Sequence, residues 1–228
     1  MTKRILIIAT NHDRMGKSGI KTGMWLDEFM IPYMIWTQKG YHLTVASLHG
    51  GTIPVDPQSV KETQQNREVQ DFLKNHPDLL KHSYRLGDLD PQDYDAVFYP
   101  GGHGPLWDLA LSRDNADFLQ DFNGQHKLIS SICHGTAALL SAWTPDGYSI
   151  IARHRITAFS DQEEELLKSD TLVPYVLEDI LRVMGASYER AKPWVSHVIQ
   201  DDNFITGQNP QSSRELAESV SRYLEQNT

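Results

Sequence analysis

The chain has 228 residues, 30 acidic against 21 basic side chains, and a formal charge of −9 with histidine neutral. Apolar residues make up 39% and charged residues 22%, which fits a chain with a buried core and excludes disorder. At a typical ~100–200 residues per domain the length predicts one domain over residues 1–228, and an acidic surface without a Lys/Arg cluster argues against nucleic-acid or membrane partners.

Arg4 to Thr10 is a β-branched run ending in polar residues, and it reads as a buried parallel strand with a loop at its carboxyl end. Its apolar stretch, Ile5 to Ala9, is far short of the ~20 residues of a bilayer span. Lys3-Arg4 before it faintly resembles a signal peptide, but polar Asn11-His12-Asp13-Arg14 follows at once, so the chain is expected to be cytoplasmic. Gly23 to Gly40 has helical spacing through Trp25, Phe29, Ile35 and Trp36, with Gly40 as a stop and Pro32 expected to kink or divide the helix. His42 to Leu48 is a second strand, so strand, helix and strand within the first fifty residues predict a parallel sheet with a right-handed crossover.

Residues 50–90 are polar, with Pro54, Pro57 and Pro77 and helical pieces near Ser59–Glu68 and Val69–Asn75; they are expected to form an inserted cap. Asp93 to Tyr99 is the next strand and Pro100-Gly-Gly-His-Gly-Pro105 a tight loop. A helix near Asn115–Phe122, a strand at Lys127–Ile132 and a helix at Thr136–Trp143 follow. Tyr148–Ile151 and Arg155–Ala158 look like short strands or a hairpin, and Leu172–Val183 like a helix. His197–Gln200 and Phe204–Thr206 are strand-like around the turn residues Asp201-Asp202-Asn203, and Gln211–Gln226 is a closing amphipathic helix.

The single cysteine, Cys133, has no partner for an intramolecular disulfide or a thiolate zinc cluster. A lone cysteine is most often a small buried hydrophobe, but this one ends an apolar strand and begins Cys133-His134-Gly135. Ligands of open α/β sheets bind beyond the carboxyl ends of the strands, and a side chain on a sharp strand-to-helix turn is pushed toward them. A helix N-terminus there would favour a thiolate, and the His134 N–H would face an oxyanion. The glycine loop ends another strand on the same sheet edge; Gly101 and Gly102 expose backbone N–H groups there, with Gly102 the second oxyanion donor. His103 either lines that pocket or caps the next helix. Asp27 and Glu28, adjacent and about 100° apart on a helix, can present at most one carboxyl inward. Trp25, Tyr33 and Trp107 are candidate walls, although aromatic residues at such spacing are usually core. His197 is a weaker candidate, and Arg153-His154-Arg155 reads as a solvated strand edge. The ten histidines are scattered, with no H-E-x-x-H motif and no phosphate loop, so neither a metal site nor a cofactor is expected.

Five segments in chain order carry a family resemblance: Gly23, Trp25, Glu28 and Pro32; Pro100–Gly104; Cys133–Gly135; Ile156–Glu165; and Thr206–Ser213. Together they resemble the DJ-1/PfpI superfamily, a class I glutamine amidotransferase-like fold, and within it the heat-shock protein 31 class with glyoxalase III activity. The resemblance implies an α/β, flavodoxin-like, doubly wound and mostly parallel sheet with helices on both faces. It implies Cys133 as nucleophile, Glu28 as its acid/base partner and His134 as a triad histidine. The acidic third member aligns best with Glu164, with Glu163 and Glu165 open in register. Ala158 stands where the family usually has glycine. The implied activity is cofactor-free conversion of methylglyoxal or a related 2-oxoaldehyde to a 2-hydroxy acid, by a homodimer acting on a small aldehyde. Alternatives are a holdase chaperone, a cysteine amide hydrolase of peptidase or deglycase type, and a redox sensor built on an exposed, low-pKa thiol.

Overall fold

The computed structural model describes residues 2–64 and 66–227. In chain order the first half holds β1 (Arg4–Ala9), α1 (Leu26–Gln38), β2 (His42–Ser47), α2 (Pro57–Thr63), α3 (Arg67–Asn75), β3 (Tyr84–Arg85) and β4 (Ala96–Tyr99). The second half holds α4 (Arg113–Gly124), β5 (Leu128–Ile132), β6 (Arg155–Ile156), α5 (Asp161–Leu167), α6 (Leu177–Val183), β7 (Ser187–Tyr188), β8 (Val198–Asp201), β9 (Phe204–Gly207) and α7 (Ser213–Gln226).

Seven of these strands form one sheet in the order β3-β2-β1-β4-β5-β9-β8. All neighbours are parallel except the closing β8/β9 hairpin, where Val198 faces Gly207. This is the flavodoxin-like α/β arrangement. The strands' two-residue period assigns alternate side chains to opposite layers. Ile5, Ile7 and Phe98 join Phe29, Met30 and Trp36 of α1 and Leu216 and Val220 of α7. Leu6, Ile8 and Val97 join Phe118, Leu119 and Phe122 of α4. Helices therefore cover both faces, which is why the central strands read as unbroken apolar runs. The indole of Trp36, fully buried, donates to the Ala217 carbonyl at 3.0 Å and ties α1 to α7.

Several local expectations change. α1 is one helix that contains Pro32, not two. Proline removes only its own N–H, the donor due to the Glu28 carbonyl one turn back, and apolar packing on both sides keeps the helix together. The helix expected over Ser59–Glu68 is instead α2 followed by a new start, α3, whose first turn is capped by Asn66; Gln65 lies outside the described residues. Leu172–Val183 shortens to α6, because Pro174 disfavours helix at the residue before it. Arg155–Ile156 pairs with Ser187–Tyr188, so Tyr148–Ile151 is not its hairpin partner. No helix among the described residues is long and apolar enough to cross a membrane.

Candidate active site

Cys133 follows β5 directly, at the carboxyl edge of the sheet between β4 and β9. Its φ of 56° is left-handed, a conformation that costs a non-glycine residue roughly 1–3 kcal/mol and persists only where the surroundings enforce it. The chain then runs through a nine-residue 3₁₀ turn, Cys133–Ser141, where an α-helix over Thr136–Trp143 is expected from sequence. The backbone N–H groups of His134 and Gly102 face the Cys133 sulfur and favour its charged form. Gly102 sits at φ 87°, and a Cβ there would strike the Gly23 carbonyl oxygen. A Cβ on Gly101 would meet the Glu28 carboxyl and the Cys133 side chain. The glycine loop is thus a cradle that closes on the cysteine only because two side chains are missing from it. The Trp25 N–H, donating to the Gly101 carbonyl at 3.0 Å, fixes the loop to the start of α1.

That start delivers Glu28. It lies in the first turn of α1, fully buried, and the Gly101 N–H donates to its Oε2 at 2.9 Å. Its other oxygen, Oε1, is buried without a partner of good hydrogen-bond geometry, although the carboxyl interacts with the Cys133 sulfur. Burial pushes the Glu28 pKa up to about 8, against the pull of the sulfur and the Gly101 N–H. Asp27 points elsewhere; burial and then the charge of Glu62 raise it to about 6. One carboxyl of the pair faces the sulfur, and it is Glu28.

The thiol departs from the exposed, ionised group that a helix N-terminus would favour. Cys133 is 4% exposed. Burial, then the Glu28 carboxyl, push its pKa up, outweighing the two backbone N–H donors. The resting pair is therefore a neutral thiol beside a neutral acid, and a freely exposed low-pKa sensor thiol is not what the fold presents.

On the other side of the sulfur, His134 Nδ1 lies 3.4 Å from Sγ and Nε2 lies 2.7 Å from Glu164 Oε2. Burial first, then His103, lower the His134 pKa below its ordinary value, so the ring is neutral near pH 7. With Nε2–H donating to Glu164, Nδ1 is left as an acceptor facing the thiol. The second oxygen of Glu164 meets His103 Nε2 at 3.2 Å. Burial opposes the charge on Glu164, but the two imidazoles outweigh it and hold the carboxyl well below the usual carboxylate range. His103 thus lines the pocket rather than capping a helix, its ring 4.3 Å from that of His134. Donor atoms of His103, His134 and Glu164 lie within 4.8 Å of one another, a set able to ligate a transition metal, though each is already hydrogen-bonded within the group.

The neighbouring glutamates have other surroundings. Glu165 is exposed on α5. Glu163 is fully buried and accepts from the Ser160 N–H and hydroxyl, the Trp194 N–H, Gln208 Nε2 and Asn209 Nδ2, at 2.7–3.0 Å. It also completes a capping box with Ser160, a Ser-x-x-Glu signal that the sequence carries openly. Ala158, in place of the family's glycine, has no positive φ and is accommodated fully buried, its carbonyl accepting from the Tyr188 hydroxyl.

These groups open into a pocket of about 720 Å³. Trp25, Phe159 and Trp194 line it, together with Pro57, Lys61 and Glu62 at α2. Of the candidate walls only Trp25 is there: Tyr33 packs on Phe29 and Phe72, and Trp107 stacks on His12. His197 is outside the pocket, and His154 pairs with Asp201 at 3.1 Å on a half-buried edge. Trp194 is a lining residue that no sequence motif announces, and Phe159 lies within the Ile156–Glu165 segment without being singled out there as a pocket wall.

An elbow cysteine between a glycine cradle and a His–Glu pair on a flavodoxin-like sheet defines a class of cysteine-centred α/β proteins. Residues 20–223 match the DJ-1/PfpI family, and the chain belongs to that family. It is similar to glyoxalase 3 of Candida albicans, with 30% identity covering 96% of this chain and 97% of that one. It is also similar to the glutathione-independent glyoxalase HSP31 of Saccharomyces cerevisiae, at 26% identity over 94% and 95% of the two chains. Among solved structures, the rapid encystment protein of 24 kDa from Francisella tularensis superposes with a TM-score of 0.93 at 37% identity, covering 97% and 98% of the two chains.

Proposed function

We propose that this protein is a glutathione-independent glyoxalase that adds water to methylglyoxal or a related 2-oxoaldehyde and yields the 2-hydroxy acid, with Cys133 as nucleophile. The observation that carries the reading is the sulfur itself: it lies between two backbone N–H donors, a carboxyl with a pKa near neutrality and an imidazole whose free nitrogen faces it.

The Cys133 proton passes to His134 Nδ1 as the sulfur bonds to the aldehyde carbon. The oxyanion meets the Gly102 and His134 N–H groups and takes the proton of Glu28, giving a hemithioacetal. Glu28, now a carboxylate, removes the hydrogen from that carbon while imidazolium protonates the neighbouring carbonyl oxygen, giving an enediol. Glu28 returns a proton to the second carbon and His134 takes one from the first hydroxyl, leaving a thioester. Water, losing a proton to Glu28, attacks the thioester, and the departing sulfur recovers its proton from His134. One water is consumed, the aldehyde carbon is oxidised and the ketone carbon reduced, and the side chains end as they began. Glu164 keeps His134 in the tautomer this needs, and a pKa of about 8 leaves Glu28 mostly an acid at pH 7.

In this reading residues 1–228 act as one domain in a cytoplasmic homodimer, and segment 50–90 caps the pocket, as the α2 side chains lining it suggest. The test is incubation with methylglyoxal in the absence of glutathione, following lactate. Wild type forms lactate and Cys133→Ala does not; equal inertness of both overturns the reading. Suppression of client aggregation that persists in Cys133→Ala, with no lactate formed by wild type, favours a holdase instead.

A further inference from the structure

The pocket is far larger than methylglyoxal requires. Cavities of ~300–1,000 Å³ ordinarily enclose ligands the size of drug molecules, and this one measures about 720 Å³. Its walls are unevenly built. From the triad imidazole, ring contacts lead outward: His134 to Phe159 at 4.5 Å, then Phe159 edge-on to Trp194 at 5.7 Å. Ile20, Leu167 and Trp194 on the rim stay 47%, 47% and 37% exposed, and Leu172 lines the same side. Large apolar side chains left in water around a concavity mark a ligand surface more often than chance.

Trp194 adds an independent observation. Its φ is 62°, and a bulky residue in the left-handed region is a genuine outlier. The strain is held by the Trp194 N–H donating at 2.9 Å to Glu163, the buried carboxyl that four other donors already fix. Strained backbone of this kind persists where surroundings over-determine it, and it gathers at ligand clamps. Here it sets an indole at the mouth of the pocket against Phe159.

We infer that the preferred substrates are 2-oxoaldehydes whose ketone carbon carries a bulky apolar group, an aryl ring above all, which packs on the Phe159–Trp194 wall while the aldehyde meets Cys133. This rests on the glyoxalase reading and names the substrate class of that site. Trp194 is its specificity-determining residue. The chemistry is unchanged: phenylglyoxal and one water give mandelate, with the same internal oxidation and reduction.

The experiment measures kcat and KM for phenylglyoxal and methylglyoxal with wild type, Trp194→Gly, Trp194→Phe and Leu167→Ser. Glycine suits the left-handed backbone and leaves the N–H to Glu163 in place, and Leu167 is exposed enough that its replacement leaves the core intact. Wild type is expected to favour phenylglyoxal by about tenfold or more in kcat/KM. Trp194→Gly lowers that ratio about fivefold, chiefly through the phenylglyoxal KM, and Trp194→Phe restores most of it. Leu167→Ser lowers it about twofold. Methylglyoxal turnover without a preference for phenylglyoxal overturns the inference and leaves the glyoxalase reading standing, as does a ratio unchanged in both Trp194→Gly and Leu167→Ser. Failure of wild type to consume either aldehyde overturns both.

Discussion

Glu28 and Glu164 are both buried glutamates beside the Cys133-His134 step, yet near pH 7 the first is a neutral acid and the second an anion. Glu28 has one backbone donor and a sulfur for company, and burial lifts it to about 8. Glu164 has two imidazoles and stays far below the ordinary range. Burial is common to both, so the number and kind of donors decides the charge. In the proposed reaction the difference separates the roles: a carboxyl that can give and take a proton on one side of the sulfur, and a fixed anion that orients a histidine on the other.

Removing the group between them has the largest consequence. Cys133→Ala is expected to lower kcat by at least ~10³, measured as lactate or mandelate release. Glu28→Gln keeps an acceptor for the Gly101 N–H but loses the mobile proton, and a fall of about 10²–10⁴ in kcat is expected. Glu163→Ala strips a buried acceptor from five donors, and denaturant unfolding should show a loss of about 3 kcal/mol or more. Glu164→Gln, which leaves His134 free to turn, is expected to cost about 10–100-fold in kcat with little change in KM. The smallest effect is a pH limb. The proton on Glu28 is needed for addition, so kcat/KM should fall as pH rises through about 8, and Glu28→Gln should lack that limb. The same shift acts on stability. The native carboxyl binds its proton more tightly than an unfolded one, so its contribution is fully present below about 4.5 and is lost as pH rises through about 8. Were Glu28→Gln and Glu164→Gln to show the same pH profile, the contrast drawn between them would be void.

The readable parts of the site are contiguous in the chain. Cys133-His134-Gly135 and the Gly101-Gly102-His103 loop each follow an apolar strand, so both their chemistry and their sheet edge follow from local pattern. Helix geometry shows only that at most one of Asp27 and Glu28 can face inward; that it is Glu28 came from the resemblance carried by Gly23, Trp25 and Pro32. The choice among Glu163, Glu164 and Glu165 is not, because adjacent identical residues differ only in helix phase; the capping-box spacing from Ser160 was the signal that separates Glu163. The ionisation of the thiol depends on how deeply the packed loops enclose it, and the Phe159–Trp194 contact joins residues 35 apart through tertiary packing alone. Pro32 and Pro174 show the same limit in the helices: the first is tolerated inside α1 because neighbouring layers hold it, while the second ends up outside the shortened α6.

The glycine cradle has a consequence for how such a protein can change. A methyl group at position 101 or 102 would collide with the Glu28 and Cys133 side chains or with main-chain atoms, so this corner of the pocket has no spare volume in which to drift. The side chains of the outer ring, Ile20, Leu167 and Trp194, stand partly in solvent and meet no such limit of volume. Descendants of this chain that acquire new aldehydes should differ at that ring and leave the cradle untouched, so libraries randomised at the two places should yield many survivors in the first case and almost none in the second.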